Sequence, residues 1–119
     1  MTTPTLYTYS NCDTCRRAVK WLRHEGIVFT EKPIRTNPPL PSELRAMLNY
    51  VDEDLRKLFN TSGQDYRALN MKEKLPTLSA AEAIKLLAGN GNLIKRPFLI
   101  GDGFGLVGFN AEAWERALG

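Results

Sequence analysis

The first part of the chain alternates between strand-like runs and one stretch with helical spacing. Residues 5–9 are rich in β-branched and aromatic side chains, which favours a strand. Over residues 13–25 the apolar positions recur at i, i+3, i+4 and i+7, which predicts an amphipathic helix that stops at Gly26. Residues 27–31 again have strand composition, and Pro33 limits how far that strand extends. Strand, helix and strand in so short a span predict a βαβ unit with parallel strands and a right-handed crossover.

The middle of the chain is dominated by helical spacing and turn residues. The three prolines of residues 36–41 predict a stiff connection, because each fixes its own φ and disfavours helix at the residue before it. Ser79 and Glu82 match a capping box at the start of a helix that ends at residues 89–91. Between these points we predict helices over residues 42–51 and 52–59, a turn over 60–63 and one more helical turn over 65–69.

The last part of the chain has the pattern of a hairpin followed by a helix. Residues 98–107 place two apolar runs around Gly-Asp-Gly, which predicts a β-hairpin with glycine where the turn needs positive φ. Asn110 is suited to cap a final helix, which we expect to direct Trp114, Ala117 and Leu118 inward.

The order of elements is therefore βαβ, a helical middle and ββα. This order predicts an α/β protein with a thioredoxin-like fold and an inserted helical subdomain. We expect a single domain over residues 1–119, with the insertion over approximately residues 37–92. The length agrees with one domain, since single domains commonly run to roughly 100–150 residues.

Composition narrows the class of protein. The chain is 43% hydrophobic and 24% charged, close to the average of globular proteins. A formal charge of +3 is too small to indicate nucleic-acid binding. No apolar run is long enough for a bilayer, the first residues do not resemble a secretory signal, and two cysteines are too few for a disulfide scaffold. We expect a cytoplasmic monomer that binds neither membrane nor nucleic acid directly.

The motif Cys-Asp-Thr-Cys at residues 12–15 carries the clearest chemistry. It lies between the first strand and the first helix, so Cys12 falls where free backbone N–H groups and the helix dipole favour a negative charge. Arg16 and Arg17 add positive charge, which further favours the thiolate. Cys15 begins the apolar face, so we expect it to be buried and able to attack a mixed disulfide on Cys12. An exposed nucleophile with a shielded resolving thiol predicts dithiol redox chemistry.

Two other interpretations of the cysteines remain open. Free cysteine often behaves as a small buried hydrophobe, in which case both thiols would be inert. A zinc ion usually takes four protein ligands, and His24 is the only other soft candidate, unless two subunits share the ion. The strand-CxxC-helix context favours redox activity over both, and we predict no metal site.

Arg96 and Pro97 immediately precede the predicted hairpin. In a thioredoxin-like domain this turn faces the cysteine loop, and we predict that the Arg96–Pro97 bond is cis. Arg96 is then placed to donate two parallel hydrogen bonds to an oxyanion, or to hold the Cys12 thiolate. The alternative is that Pro97 only begins a strand and Arg96 is solvated. A second basic group, formed by Arg16, Lys20 and Arg23 on one helix face, is expected to be solvated rather than to bind glutathione or an acidic partner.

Four stretches, at residues 9–18, 58–67, 93–98 and 107–110, resemble the arsenate reductase family, which includes the redox regulators Spx and MgsR. The resemblance implies a thioredoxin-like fold with a helical insertion. In the glutaredoxin-linked reductases of that family, the first cysteine attacks arsenate, glutathione displaces arsenite and glutaredoxin completes the cycle. Cys12 matches that nucleophile.

The resemblance also implies a binding site for substrate. Arg96 matches one of the oxyanion-binding arginines. The residues expected to contact substrate are Asn11, Asp13, Thr14, Arg16, Asn60 and Pro97.

The sequence departs from the reductases at three positions. The reductases have further arginines near the positions of Asn60 and Gly108, and usually no cysteine at the position of Cys15. Because hydrogen bonds to charged groups contribute roughly 1.5–3 kcal/mol each, their loss disfavours efficient arsenate reduction. The Cys12/Cys15 pair instead resembles the regulators, in which a disulfide acts as a switch on RNA polymerase binding. The chain ends at Gly119, directly after the last predicted helix, so we do not expect the extended tail of Spx.

The leading hypothesis is a thiol–disulfide oxidoreductase of the arsenate reductase family. Cys12 attacks, Cys15 resolves and Arg96 binds an anionic group, with no permanently bound cofactor. Glutathione is the expected co-substrate, and glutathione, glutaredoxin or thioredoxin is the expected reductant. The alternative is a non-catalytic, Spx-like redox switch that binds the RNA polymerase α subunit. A glutathione-binding module without reductase activity is a third possibility.

Overall fold

A four-stranded sheet lies at the centre of the computed structural model, which describes residues 3–118. Its strands run in the order β2-β1-β3-β4. The β1–β2 pair is parallel, whereas the β1–β3 and β3–β4 pairs are antiparallel, so the predicted βαβ and ββα halves meet where β1 pairs with β3. The strands are β1 (Thr5–Thr8), β2 (Thr30–Pro33), β3 (Phe98–Gly101) and β4 (Phe104–Val107).

Six α-helices and three short 3₁₀ segments complete the described part of the chain. The α-helices are α1 (Asp13–His24), α2 (Pro41–Tyr50), α3 (Gln64–Ala68), α4 (Met71–Lys74), α5 (Ala80–Ala88) and α6 (Ala111–Leu118). The 3₁₀ segments are Leu55–Leu58, Leu75–Thr77 and Gly91–Leu93. Within residues 3–118, none of the helices has the length and apolar character that a membrane span requires.

The two faces of the sheet bury separate hydrophobic clusters, because successive side chains of a strand point to opposite faces. On one face Leu6 and Leu99 pack with Leu22 of α1 and Trp114 of α6. On the other face Tyr7, Phe98 and Ile100 pack with buried side chains of α2 and α5. The helices between β2 and β3 therefore cover the sheet face that α1 and α6 leave free.

The strongest local signals of the sequence are confirmed. Ser79 Oγ accepts from the Glu82 N–H at 3.1 Å and Glu82 Oε1 accepts from the Ser79 N–H at 2.9 Å, so the capping box forms. Asn110 Oδ1 accepts from the Ala113 N–H at 3.0 Å and caps α6. The hairpin also forms, with Gly103 at φ +85° in its turn.

Two predicted elements have different bounds. The second strand was expected over residues 27–31, but β2 begins at Thr30 and ends at Pro33. β2 is an edge strand whose four residues are all exposed, so its sequence does not need the apolar residues on which the prediction relied. An edge position also tolerates proline. The helix expected over residues 52–59 reduces to a single 3₁₀ turn, because Asp52 and Glu53 have φ of 58° and 63°, outside the right-handed helical region.

The inward face of α6 also differs from the prediction. Trp114 is 1% exposed, as expected, and Leu118 packs against the same cluster. Ala117, however, is exposed, and Ala113 takes the inward position. Ala113 and Ala117 are four residues apart and lie on the same side of Trp114, so helical spacing alone does not decide which of them is buried.

Candidate active site

The sheet topology brings three chain segments to one edge. The parallel strands β1 and β2 end at this edge, and β3 begins there because it runs antiparallel to β1, with Tyr7 opposite Phe98. Tyr9 and the cysteine loop therefore follow β1, Arg35 follows β2, and Arg96 precedes β3, all on the same side of the sheet.

Cys12 is half-buried and is the N-cap of α1. Its Sγ accepts a hydrogen bond from the backbone N–H of Cys15 at 3.3 Å, and its own N–H donates to the Tyr9 carbonyl at 3.1 Å. The sulfur thus points at a free N–H of the first helical turn, where a negative charge is favoured.

The two arginines that follow the cysteines do not pair with the sulfur. Arg16 and Arg17 each lie 3.6 Å from a carboxylate oxygen of Asp13. Arg16 also donates from Nη1 to the Ser10 carbonyl at 2.9 Å. All three charged side chains are exposed, and exposed ion pairs contribute little to stability. Asp13 therefore offsets part of the positive charge that the sequence places beside Cys12.

Cys15 is 1% exposed and is a free thiol, as Cys12 is. Burial and a hydrogen bond with Cys12 raise the pKa of Cys15 to about 12, while a backbone hydrogen bond with Tyr9 and the charge of Arg96 act in the opposite direction. Cys15 is therefore a protonated thiol at neutral pH. The two cysteines differ in accessibility in the way a nucleophile and a resolving thiol do.

The Arg96–Pro97 bond is cis, as predicted. Arg96 is a half-buried residue rather than a fully solvated one, and its Cζ lies 4.8 Å from the centre of the Tyr9 ring. Its Nη1 is buried and has no hydrogen-bond partner among residues 3–118. Pro97 is buried, and its carbonyl accepts from the Gly108 N–H at 2.9 Å.

The other predicted contact residues fall into two groups. Asn60 is half-buried and lines a cavity of about 310 Å³ together with Arg96. Its backbone is held by hydrogen bonds with Leu93 and Gly63, so the turn at residues 60–63 forms as expected. Asn11 is exposed in the loop before α1, and Thr14 is half-buried in the first turn of that helix.

His24 lies at the opposite end of α1 from the cysteines, where its ring is 3.2 Å from Glu25. It therefore cannot join them around one ion. Within the described part of the chain, no three potential metal ligands lie together.

Tyr9 and Arg35 are residues of this site that the sequence did not single out. Arg35 places its Cζ 5.0 Å from the centre of the Tyr9 ring and donates from Nη1 to the Tyr9 hydroxyl at 3.0 Å. A usable signal was present, because Arg35 closely follows a strand predicted to be parallel to the first strand, and parallel strands end at the same edge.

A half-exposed cysteine at a helix N-cap and a buried thiol one turn later thus lie at the sheet edge where the chain also has a cis-proline. The fold is thioredoxin-like, as predicted. Residues 7–117 match the ArsC family model, and the chain belongs to the ArsC family.

Similar proteins include both uncharacterised and regulatory ones. YusI of Bacillus subtilis is 45% identical over 93% of this chain and 94% of its own length, and its function is uncharacterised. The global transcriptional regulator Spx of Enterococcus faecalis is 32% identical over 96% of this chain and 85% of its own length. The regulatory protein MgsR of B. subtilis is 27% identical over 89% of this chain and 82% of its own length.

Two solved structures are similar over nearly the whole chain. An ArsC family related protein of Bacteroides fragilis superposes with a TM-score of 0.90 and 40% identity, covering 97% of both chains. A possible arsenate reductase of Streptococcus mutans has a TM-score of 0.88 and 42% identity, covering 97% of this chain and 99% of its own. The predicted resemblance to this family is confirmed.

Proposed function

We propose that this protein is a thiol–disulfide oxidoreductase in which Cys12 attacks and Cys15 resolves. The observation that supports it is the contrast between the two sulfurs. Cys12 Sγ is half-exposed and accepts a backbone hydrogen bond at 3.3 Å, while burial raises the pKa of Cys15 to about 12. At neutral pH a substrate meets Cys12 first, and Cys15 stays protonated until a mixed disulfide has formed.

The proposed reaction transfers two electrons in two steps. The Cys12 thiolate forms a bond to one sulfur of a disulfide substrate, and the other sulfur leaves as a thiolate. Cys15 then loses its proton to solvent and its sulfur bonds to Cys12 Sγ, which releases the second substrate thiolate. The substrate is reduced to two thiols, and the protein is oxidised to a Cys12–Cys15 disulfide.

A second thiol system restores the dithiol. Two glutathione molecules supply the electrons and leave as glutathione disulfide, or the dithiol of glutaredoxin or thioredoxin supplies them. No metal or organic cofactor has to stay bound for this cycle. Arg96 contributes by binding an anionic group of the substrate, since a guanidinium donates parallel hydrogen bonds to such groups.

Arsenate is expected to be a poor substrate. The positions where the reductases have further arginines hold Asn60, which lines the cavity beside Arg96, and Gly108. Neither side chain supplies a charged donor to a doubly charged oxyanion. We therefore expect a mixed disulfide to be reduced faster than arsenate.

Cysteine variants test the proposed function. Purified wild type, Cys12→Ser and Cys15→Ser are each given bis(2-hydroxyethyl) disulfide with glutathione alone, because glutaredoxin itself reduces this disulfide, and turnover is counted above the rate without protein. In parallel they are given arsenate with glutathione and glutaredoxin. We expect turnover of the disulfide by wild type, none by Cys12→Ser, and a covalent adduct on Cys15→Ser that mass spectrometry detects. Wild-type turnover by Cys12→Ser contradicts the proposal, and so does the lack of any disulfide reduction by wild type.

The relatives named Spx and MgsR favour a second candidate, a redox switch that binds a protein. The Cys12–Cys15 pair would then control binding to the RNA polymerase α subunit instead of reducing a substrate. Pull-down of the purified α subunit with reduced and with oxidised protein distinguishes the two. Binding that changes with oxidation, in a protein without turnover, favours the switch. Glutathione binding that survives Cys15→Ser, again without turnover, favours a glutathione-binding module.

A further inference from the structure

Two arginines from distant parts of the chain share one tyrosine ring. The Cζ atoms of Arg35 and Arg96 lie 5.0 Å and 4.8 Å from the centre of the Tyr9 ring. A cation near an aromatic face is attracted by the ring, which helps to hold both guanidinium groups in place. Among residues 3–118, neither arginine forms an ion pair with an acidic side chain. Both positive charges therefore lie at this edge of the sheet without a directly paired carboxylate among the described residues.

One of these arginines has a hydrogen-bond donor left over. Arg96 Nη1 is buried without a partner in the described part of the chain, and leaving a buried charged donor unpaired is costly. The cavity of about 310 Å³ that Arg96 and Arg35 both line also has the side chains of Asn60 and Asn92 in its wall. A ligand in this cavity would lie against Arg96.

The walls of this cavity favour a singly charged oxyanion. Asp65 also lines it, and its Oδ2 accepts from Asn90 Nδ2 at 3.0 Å. Its carboxylate opposes a doubly charged anion more strongly than a singly charged one. A carboxylate has one charge and two oxygens in a plane, which matches the fork of a guanidinium.

A second cavity adjoins the first and leads away from it. It has a volume of about 660 Å³ and shares Tyr9, Arg35 and Asn92 with the smaller cavity. Thr36 and Glu31 are also in its wall. A ligand whose carboxylate lies in the smaller cavity, which both arginines line, therefore has room beside it for the remainder of a small peptide.

We propose that Arg35 and Arg96, held on Tyr9, form a carboxylate-binding subsite that selects small disulfides bearing carboxylate groups over neutral ones. This inference rests on the proposed oxidoreductase function, because it names the substrate class of the same site. Arg96 lies 4.8 Å from the ring of Tyr9, whose carbonyl accepts from the Cys12 N–H, so the subsite adjoins the residue that begins the cysteine loop. Arg35 acts as a specificity residue, and its side chain contacts Tyr9 rather than either cysteine.

The test compares glutathione disulfide with its carboxyl ester, which carries the same peptide without free carboxylates. We measure kcat/KM for both substrates with wild type, Arg35→Met, Arg35→Lys and Arg45→Met. Reduced thioredoxin is the electron donor, since glutathione would regenerate glutathione disulfide, and its direct reaction with each substrate is subtracted. Arg45 is an exposed arginine of α2 that lines neither cavity, so its variant is the matched control. We expect Arg35→Met to lower the ratio of acid to ester by about tenfold, the effect of losing one charge-assisted hydrogen bond, mostly through KM. Arg35→Lys is expected to lower it less, and Arg45→Met to leave it at the wild-type value.

The outcomes separate this subsite from the proposed function. An equal loss of kcat/KM for both substrates in Arg35→Met, or no change in their ratio, overturns the subsite even if the enzyme is active. If wild type reduces neither substrate nor bis(2-hydroxyethyl) disulfide, the proposed function fails. Calorimetry with S-methylglutathione, which cannot form a disulfide, then tests whether the subsite binds a carboxylate-bearing peptide. Binding by wild type that Arg35→Met weakens supports it, and the absence of binding by wild type overturns it.

Discussion

At the scale of single residues, burial decides what each titratable side chain can do. Cys12 and Cys15 are separated by two residues, but the N-cap position leaves the first half-exposed, while the second is 1% exposed on the inner face of α1. Tyr7 shows the same influence away from the site. It is 2% exposed, and its hydroxyl donates to Glu43 Oε1 at 2.7 Å. Burial first, and then the Glu43 carboxylate, raise the pKa of Tyr7 above its ordinary value of 10.

The raised pKa of Tyr7 predicts a loss of stability at alkaline pH. The folded protein holds the phenol proton more tightly than the unfolded chain, so this stabilisation is fully present below about pH 10 and is lost as the pH rises above it. Tyr7→Phe removes the hydrogen bond and should lower the free energy of unfolding at about pH 8 by roughly 1.5–3 kcal/mol. The same variant should lose less stability than wild type between about pH 8 and about pH 11.

Urea unfolding at both pH values measures this difference. Tyr50→Phe is the matched control, since Tyr50 is an exposed residue of α2. We expect the control to behave as wild type does. An alkaline loss of stability that is the same in Tyr7→Phe and wild type would show that the Tyr7 proton does not contribute.

Residue chemistry alone predicted one arginine of the site and missed the other. Arg96 stands beside a proline that a thioredoxin-like fold places at the cysteine loop, so sequence was enough to single it out. Arg35 reaches Tyr9 only because β2 lies parallel to β1 and ends at the same edge. The parallel pairing was itself predicted, but the residues around Arg35 form no motif that indicates a contact of its side chain with Tyr9.

At the scale of elements, the predictions that held are those in which the local sequence supplies the stabilising interaction itself. The Ser79–Glu82 box begins α5 and Asn110 begins α6, each through hydrogen bonds within four residues. β2 and residues 52–59 differ from expectation because their conformation depends on an edge position and on left-handed backbone at Asp52 and Glu53. The apolar composition of a segment carries little information on whether it will be an edge strand or contain left-handed backbone.

The capping box predicts the effect of a single substitution on α5. Ser79→Ala removes the acceptor of the Glu82 N–H and should lower the free energy of unfolding by about 1 kcal/mol. Ser62→Ala is the matched control, because Ser62 is exposed in a turn and caps none of the described helices. Urea unfolding of the two variants at neutral pH provides the measurement. If Ser62→Ala costs as much as Ser79→Ala, the stabilisation does not come from the cap.

At the scale of the whole molecule, the insertion and the active-site edge are joined by a close backbone contact. Gly91 begins the 3₁₀ segment Gly91–Leu93 and is buried against the backbone of Ile34 and Arg35. A Cβ at this position would collide with the Ile34 carbonyl oxygen. The Ile34 N–H, in turn, donates to the Thr8 carbonyl of β1 at 2.8 Å. The chain after β2 is thereby fixed between the central strand and the insertion, which positions Arg35.

This contact predicts that Gly91→Ala affects both stability and specificity. The added methyl group has to displace backbone, so we expect the free energy of unfolding to fall by roughly 1–3 kcal/mol. Displacement of Ile34 also moves Arg35, so the preference for glutathione disulfide over its ester should fall.

Gly89→Ala is the matched control two residues away. A Cβ there makes its nearest contact at 3.6 Å with the Lys85 carbonyl oxygen, and φ is −90°, so alanine fits. Urea unfolding and the two-substrate assay measure both effects. A Gly91→Ala protein that loses stability but keeps the preference of wild type would show that the insertion supports the fold without positioning Arg35.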